Sequence, residues 1–300
     1  MLPLLLAAAL SGPLDYRPQP FSAQARQSAS SPGRRLYEIN FPSPLKSRFA
    51  ANNTVWLHLS LPEGDGPFPC VLVLPVMAAP NLWIETRFIR RFEKNGFAVA
   101  WLEMPYQFHR RPDPLVPSGQ VFLSRTAKGL AFNFRQSALD SRRALHWLSG
   151  HPRIDRGRIG LFGISLGALV GSAVYSVDPI PSYGVFLLGG AGFHELIFES
   201  AMTGPFVRSL GIGAEELRLA WQGLDPLDYQ ASNKAKPALL INTIWDRVIP
   251  ASNARRLKEA FPAARQIWLP LGHYSALLHL IWIPRYVSRD LSRHLGHELR

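Results

Sequence analysis

A glycine-flanked serine constrains the fold of this chain more than any other feature of the sequence. The segment 158–171 reads as a short apolar strand, the tight turn Gly163-Ile164-Ser165-Leu166-Gly167, and an apolar helix. Glycines two residues before and two residues after the serine leave no Cβ where strand and helix pack closely. The pattern therefore predicts a strained strand-to-helix turn that lifts the serine hydroxyl out of a sheet.

A serine at the tip of such a turn is typical of a nucleophile elbow. The helix that follows points its N-terminus at the hydroxyl, so free backbone N–H groups there can hold a developing negative charge. A plain strand-to-helix turn is the alternative interpretation. Apolar residues on both sides of the turn favour the catalytic one.

Apolar runs elsewhere predict an α/β fold, with a mostly parallel central sheet flanked by helices. Besides the strand before Ser165, strands are predicted over 36–41, 55–61, 70–74, 97–102, 184–188, 238–244 and 266–269. Helices are predicted over 83–95, 125–148, 251–260 and 275–295, the last one interrupted near Pro284. Residues 190–232 break this rhythm, which indicates one domain over 35–300 with a small cap inserted at about 190–232.

Residues 1–34 are predicted to lie outside that domain. The apolar run 2–10 resembles a signal peptide, but no Lys or Arg precedes it and it is too short to span a bilayer. A cytoplasmic location is therefore favoured over export. Residues 11–34 are rich in Pro, Ser, Gln and Arg and predict a flexible lead-in.

The net charge of +12 bears on possible partners. The basic residues are scattered and form no run of five or more, so no nucleic-acid partner is expected. The basic surface and the apolar start leave contact with a membrane surface open. The single cysteine, Cys70, excludes an intrachain disulfide and falls in an apolar run, where a buried, inert thiol is expected.

A serine hydroxyl needs a base to take its proton, and the base needs an acid to orient it. Functional groups of parallel sheets gather at the carboxyl ends of the strands. Asp246 follows the strand 238–244, and His273 follows the strand 266–269. Glu195 and Glu199, which follow the preceding strand, remain alternatives for the acid.

These pieces together resemble the α/β-hydrolase superfamily over roughly residues 55–295. The motifs that carry the resemblance are Gly163-Ile164-Ser165-Leu166-Gly167, Trp245-Asp246-Arg247-Val248-Ile249-Pro250 and Gly272-His273-Tyr274, in that chain order. The resemblance implies that Ser165 is the nucleophile, that His273 is the general base and then the general acid, and that Asp246 orients it.

The resemblance also implies an oxyanion hole made of two backbone N–H groups. One belongs to Leu166, and the other to Met77 or Val76 in the loop after the strand 70–74. The family often has His-Gly where this chain has Pro75-Val76. A backbone donor tolerates any side chain except Pro, so the hole is expected to survive with an altered shape.

The expected activity is hydrolysis of a carboxylic ester through an acyl-enzyme, without a metal or an organic cofactor. A peptidase or acyltransferase that uses the same triad and a non-catalytic binding protein of the same fold are the alternatives. A small-molecule ester with an apolar acyl or aryl group is the expected substrate. Cap residues that favour such a group are Phe193, Leu196, Ile197, Phe198, Met202, Phe206 and Trp221. The segment 105–111 is expected either to border the entrance, where its arginines would attract an anionic substrate, or to form a solvated loop.

Overall fold

The computed structural model describes residues 12–78 and 80–297. The apolar run at 2–10 lies outside the described residues. The strands within them are β1 (Gln24–Ser31), β2 (Arg34–Pro42), β3 (Thr54–Pro62), β4 (Phe68–Leu74), β5 (Ala98–Leu102), β6 (Ile154–Ile164), β7 (Tyr183–Leu187), β8 (Ala238–Thr243) and β9 (Arg265–Leu269). They form one sheet in the order β1-β2-β3-β5-β4-β6-β7-β8-β9. Strands β1 to β3 pair antiparallel, β3 pairs antiparallel with β5, and β5, β4 and β6 to β9 run parallel.

Helices follow most of the parallel strands. Their bounds are α1 (Trp83–Lys94), α2 (Ala127–Ser149), α3 (Leu166–Val177), α4 (Phe193–Glu199), α5 (Gly204–Ser209), α6 (Ala214–Ala220), α7 (Gln230–Asn233), α8 (Ala251–Ala260) and α9 (Ile283–His294). Helices α4, α5 and α6 lie within the interval 190–232 predicted as a cap. No helix in the described part of the chain is both long and apolar enough to cross a membrane.

The central strands are buried on both faces because successive residues point to opposite sides and helices cover each side. In β4, Cys70, Leu72 and Leu74 pack in the core shared with α2, α3 and α8. Val71 and Val73 pack in the opposite core, shared with α1 and α9. Burial raises the pKa of the Cys70 thiol to about 12, as suits the inert role predicted for it.

The predicted α/β fold class is confirmed, and the predicted strands lie within a few residues of β2 to β9. The terminal helix predicted over 275–295 is two elements. A 3₁₀ turn spans Ser275–His279, and α9 begins at Ile283 with Pro284 in its first turn. Proline is tolerated there because the first N–H groups of a helix have no partner within it.

The prediction that residues 11–34 form a flexible lead-in is wrong for most of the segment that the structure describes. Residues 24–31 form β1 at the edge of the sheet. The guanidinium groups of Arg135 and Arg142 on α2 donate to the carbonyl oxygens of Pro13 and Leu14. Polar composition misled because backbone hydrogen bonds and arginine side chains hold much of this segment, together with a few apolar residues such as Leu14, which is buried in the core.

The prediction for Arg110 is also wrong. Arg110 neither borders the entrance nor lies in a solvated loop, because its side chain is fully buried and pairs at 2.7 Å with the equally buried Asp140 on α2. The same guanidinium donates to the carbonyl oxygens of Asn52 and Glu103, and Ser43 donates to Asp140. Burial raises the pKa of Asp140 above its ordinary value, and the neighbouring Arg110 opposes that shift. The pair ties the loop after β5 to α2.

Removal of Arg110 tests the importance of this buried pair. The variant Arg110→Met leaves Asp140 without its cation in a site shielded from water, so we expect the free energy of unfolding to fall by about 3–5 kcal/mol. Urea unfolding followed by circular dichroism measures the change. Arg218→Met is the matched control, because its ion pair with Glu215 is exposed, and its urea midpoint should stay at the wild-type value. Equal midpoints for both variants would contradict a structural role of the buried pair.

Candidate active site

The turn around Ser165 is shaped by two glycines that allow close contact of backbones. A Cβ on Gly163 would lie 2.1 Å from the carbonyl oxygen of Gly167, and one on Gly167 would lie 2.0 Å from that of Leu74. Between them Ser165 takes a φ of 53°, a region that non-glycine residues rarely occupy. Its N–H donates to the carbonyl oxygen of Leu187 at 2.9 Å. The hydroxyl therefore projects from the carboxyl end of β6, as the sequence predicts.

Two loops bring His273 and Asp246 to this hydroxyl. Asp246 lies in the loop after β8 and His273 in the loop after β9, at the same edge of the sheet as the turn. The distance from Ser165 Oγ to His273 Nε2 is 3.1 Å. The distance from His273 Nδ1 to Asp246 Oδ2 is 2.8 Å. The three side chains thus form one continuous hydrogen-bonded chain.

Asp246 is fixed by the backbone of its own loop. Its Oδ1 accepts hydrogen bonds from the amides of Val248 and Ile249, each at 2.8 Å, and the Thr243 hydroxyl donates to its Oδ2 at 3.3 Å. The buried carboxylate beside Nδ1 of His273 favours the tautomer that carries the ring proton on Nδ1. The unprotonated Nε2 then faces the serine hydroxyl, which is the arrangement that a general base requires.

The alternatives for the acid lie elsewhere in the structure. Glu195 pairs with Arg256 of α8, and Glu199 is exposed at the end of α4. Among the described residues, Asp246 is the carboxylate that is hydrogen-bonded to His273. The geometry therefore favours Asp246 over both glutamates.

The loop after β4 is held by two buried side chains that the sequence did not single out. The amide of Val76 donates to Glu85 Oε1 at 2.9 Å, and Gln107 Nε2 donates to the carbonyl oxygen of Val76 at 2.7 Å. Burial raises the pKa of Glu85 above its ordinary value. Because its N–H is already bonded, Val76 is the weaker of the two candidates for an oxyanion donor. The amides of Leu166 and Met77 have no acceptor among the residues that the structure describes.

The sequence does not distinguish Glu85, because an acidic residue in the first turn of a helix is usually solvated and interacts with the helix dipole. Gln107 belongs to the segment that was expected either at the entrance or in a solvated loop, but its side chain is buried. A buried carboxyl group within reach of a loop amide has no local sequence signal. Only the packing of α1 against β4 and β5 brings the two together.

Two apolar cavities meet at Ser165. The cap-side cavity has a volume of about 70 Å³, and the helix-side cavity has a volume of about 280 Å³. The cap-side cavity is lined by Phe122, Leu123, Leu130, Phe134, Leu166, Leu169, Phe193, Leu196, Ile197, Ser200, Thr203, Phe206, Val207, Trp221, Val248 and Ile249. The helix-side cavity is lined by Val76, Ala78, Ile84, Phe88, Ile164, Leu187, Leu188, Ile241, Leu269, His273, Tyr274, Ala276, Leu277, Leu280 and Ile283. Met77, Ser165 and Met202 line both.

Most of the cap residues expected to favour an apolar group line the cap-side cavity. They are Phe193, Leu196, Ile197, Met202, Phe206 and Trp221. Phe198 does not line it, since its ring lies beneath the guanidinium of Arg208. The cavity wall is therefore almost wholly apolar on the cap side of the serine.

The mostly parallel sheet is covered by helices on both faces and carries a Ser-His-Asp hydrogen-bonded chain at its carboxyl edge. The protein thus has the α/β-hydrolase fold, as the sequence predicted. No protein-family model matches the chain.

Curated relatives that resemble part of the chain are esterases by name. Esterase FrsA of Enterobacter sp. (strain 638) is 30% identical over 135 residues, which are 45% of this chain and 27% of that protein. Esterase FrsA of Citrobacter koseri (strain ATCC BAA-895 / CDC 4225-83 / SGSC4696) is 29% identical over 151 residues, 50% of this chain and 31% of that protein. The match thus spans less than a third of the length of these relatives.

Solved structures resemble the chain over most of its length. The acetyl xylan esterase from Paenibacillus sp. R4 gives a TM-score of 0.69 at 17% identity, covering 90% of this chain and 89% of that one. Acetyl xylan esterase 1 from Thermoanaerobacterium sp. JW/SL YS485 gives 0.67 at 15% identity, covering 91% and 89%. A puromycin-hydrolyzing peptidase of Mycobacterium tuberculosis gives 0.63 at 15% identity, covering 93% and 40%. At these identities the likeness establishes the fold, which esterases and peptidases share.

Proposed function

We propose that the chain is a serine hydrolase that cleaves carboxylic esters, with Ser165 as nucleophile, His273 as general base and Asp246 as the acid that orients it. The observation that carries the proposal is the hydrogen-bonded chain from Asp246 through His273 to Ser165, with distances of 2.8 and 3.1 Å. The names of the curated relatives support an ester as the substrate class.

Acylation begins when Ser165 Oγ attacks the ester carbonyl carbon and its proton passes to His273 Nε2. The carbonyl oxygen becomes negatively charged and accepts hydrogen bonds from the amides of Leu166 and Met77. His273 then gives the proton to the alcohol oxygen as the carbon–oxygen bond breaks. The alcohol leaves, and the acyl group stays on Ser165.

Deacylation repeats these steps with water. His273 takes a proton from a water molecule as its oxygen attacks the acyl carbon, and the same two amides hold the second oxyanion. When the bond to Ser165 Oγ breaks, His273 returns the proton to the serine. The carboxylic acid leaves, and the serine hydroxyl is restored.

The position of His273 supports a proposal for which cavity holds which part of the ester. The imidazole must reach the leaving oxygen, and it lines only the helix-side cavity. We therefore place the alcohol part in the helix-side cavity and the acyl part in the cap-side cavity, where apolar walls suit an apolar acyl or aryl group. Residues 190–232, which supply much of that wall, act as the cap of the domain in this proposal.

Replacement of Ser165 tests whether the chain is an enzyme or a non-catalytic protein of the same fold. We expect Ser165→Ala to abolish hydrolysis of short p-nitrophenyl esters and labelling by a fluorophosphonate probe, which reacts with activated serines. Ser172→Ala on α3 is the matched control, because Ser172 is equally part of the buried helix and its hydroxyl donates only to the carbonyl oxygen of Leu169. Unlabelled wild-type protein, or labelling that survives in Ser165→Ala, would refute the proposed role of Ser165.

Variants of Glu85 test the oxyanion loop. Glu85→Ala removes the acceptor that holds the amide of Val76, so the neighbouring amide of Met77 loses its fixed direction. We expect kcat to fall about a hundredfold while KM changes little, since the donor acts mainly in the transition state. Glu85→Gln keeps an acceptor oxygen and should retain most of kcat. If Glu85→Ala folds and keeps wild-type kcat, Glu85 does not position an oxyanion donor.

Truncation of Phe206 tests the assignment of the acyl group. Phe206→Ala lengthens the cap-side cavity, so we expect the ratio of kcat/KM for p-nitrophenyl octanoate over p-nitrophenyl acetate to rise by about tenfold. Phe198→Ala is the matched control, a half-buried cap phenylalanine that does not line the cavity. A similar rise in both variants, or in neither, would place the acyl group outside the cap-side cavity.

A further inference from the structure

Exposed apolar side chains lie in or next to the segments that line the helix-side cavity. They form an apolar rim that consists of Trp83, Ile244, Trp245, Tyr274, Leu277, Leu278, Ile281 and Trp282. Leu278 is 70% exposed and Ile281 is 84% exposed, so core packing does not account for them. Single exposed apolar residues are ordinary, but a group of this size on one surface is typical of an interaction site.

The segments of the rim are joined to one another or to the cavity. The amide of Trp245 donates to the carbonyl oxygen of Leu271 at 2.9 Å, which ties the loop after β8 to the loop after β9. Tyr274 and Leu277 line the helix-side cavity together with Ile84, the residue after Trp83. The segments that carry the rim therefore lie beside the cavity, between the start of α1 and the start of α9.

The exposed charged residues that are close to the rim in the sequence are basic, namely Arg87, Arg247 and Arg285. The guanidinium of Arg87 lies 4.9 Å from the ring centre of Trp83. The carboxyl groups nearest in sequence, Glu85 and Asp246, are buried.

The segment that carries most of the rim also lacks acidic residues. Residues 260–289 contain no Asp or Glu. A surface that is apolar at its centre and cationic at its edge complements a partner that is apolar and anionic. A second copy of this chain docked through the same face would instead place arginines against arginines.

We propose that the apolar rim docks on an anionic phospholipid surface, with its aromatic and aliphatic side chains in the headgroup region and its arginines on lipid phosphates. Tryptophan and tyrosine are suited to this depth because they combine an apolar ring with a polar atom. Basic residues at the edge add attraction to anionic headgroups that decreases as salt screens it. The inference concerns binding alone and is independent of the proposed esterase activity.

Vesicle sedimentation of the full chain tests the proposal. We expect the wild-type protein to bind phosphatidylcholine vesicles that contain about a third phosphatidylglycerol more tightly than pure phosphatidylcholine vesicles, with a difference that shrinks as salt rises. Leu278→Glu and Ile281→Glu should each lower the partition coefficient by about fivefold or more, because each removes an apolar contact and adds a repelled charge.

Leu219→Glu is the matched control, since Leu219 is an exposed leucine on α6, outside the rim and outside both cavities. It should bind as the wild type does. Thermal unfolding monitors the fold of all variants. Equal binding by the rim variants and the control would overturn the proposal. Light scattering tests the other occupant. If the wild-type protein forms a dimer that the rim variants dissociate, and does not bind vesicles, the rim docks on a second copy of the chain and the proposal is overturned.

Discussion

Close contact between α3 and the strands β4 and β6 is the constraint on which the rest of the structure depends. Any Cβ at Gly163 or Gly167 would lie about 2 Å from a carbonyl oxygen, so no side chain fits at either position. The turn between them is compressed, and Ser165 takes a conformation that costs on the order of 1–3 kcal/mol for a non-glycine residue. The buried apolar surfaces of β6 and α3 on either side hold the chain there. The same compression directs the hydroxyl outward and leaves the amide of Leu166 without an acceptor among the described residues.

Parallel strand pairing positions His273 and Asp246, as the turn positions Ser165. Strands β6 to β9 run in the same direction, so the three segments that follow β6, β8 and β9 emerge at one edge of the sheet. Residues separated by more than a hundred positions in the chain thereby come within hydrogen-bond distance. Two amides of its own loop then fix the carboxylate of Asp246. The histidine is thus oriented before any ligand arrives, because its partner has little freedom to move.

The sequence predicted most of this arrangement, since hydrophobic periodicity and turn residues are local signals. Strands β2 to β9 and the positions of Ser165, Asp246 and His273 at strand ends could be read in this way. β1 could not, because six of its eight residues are polar, the other two are alanines, and backbone pairing with β2 stabilises it. Arg110, Asp140 and Glu85 were misread or missed for a related reason. Charged residues are usually solvated, and only tertiary packing determines which of them are buried with a partner.

The geometry of the site also bears on how an ester would be oriented in it. Ser165 separates a small cavity, lined in large part by residues from 190–232, from a larger one beside α1 and α9, and of these two cavities the imidazole lines only the larger one. In the proposed reaction, the leaving alcohol therefore lies in the larger cavity, beside the apolar rim. An ester held in a lipid surface against that rim would enter with its acyl end first, because the cap-side cavity lies beyond the serine. Its alcohol part would stay nearest the surface, within reach of His273, so that cleavage would release the alcohol outward while the acyl group remained on the enzyme.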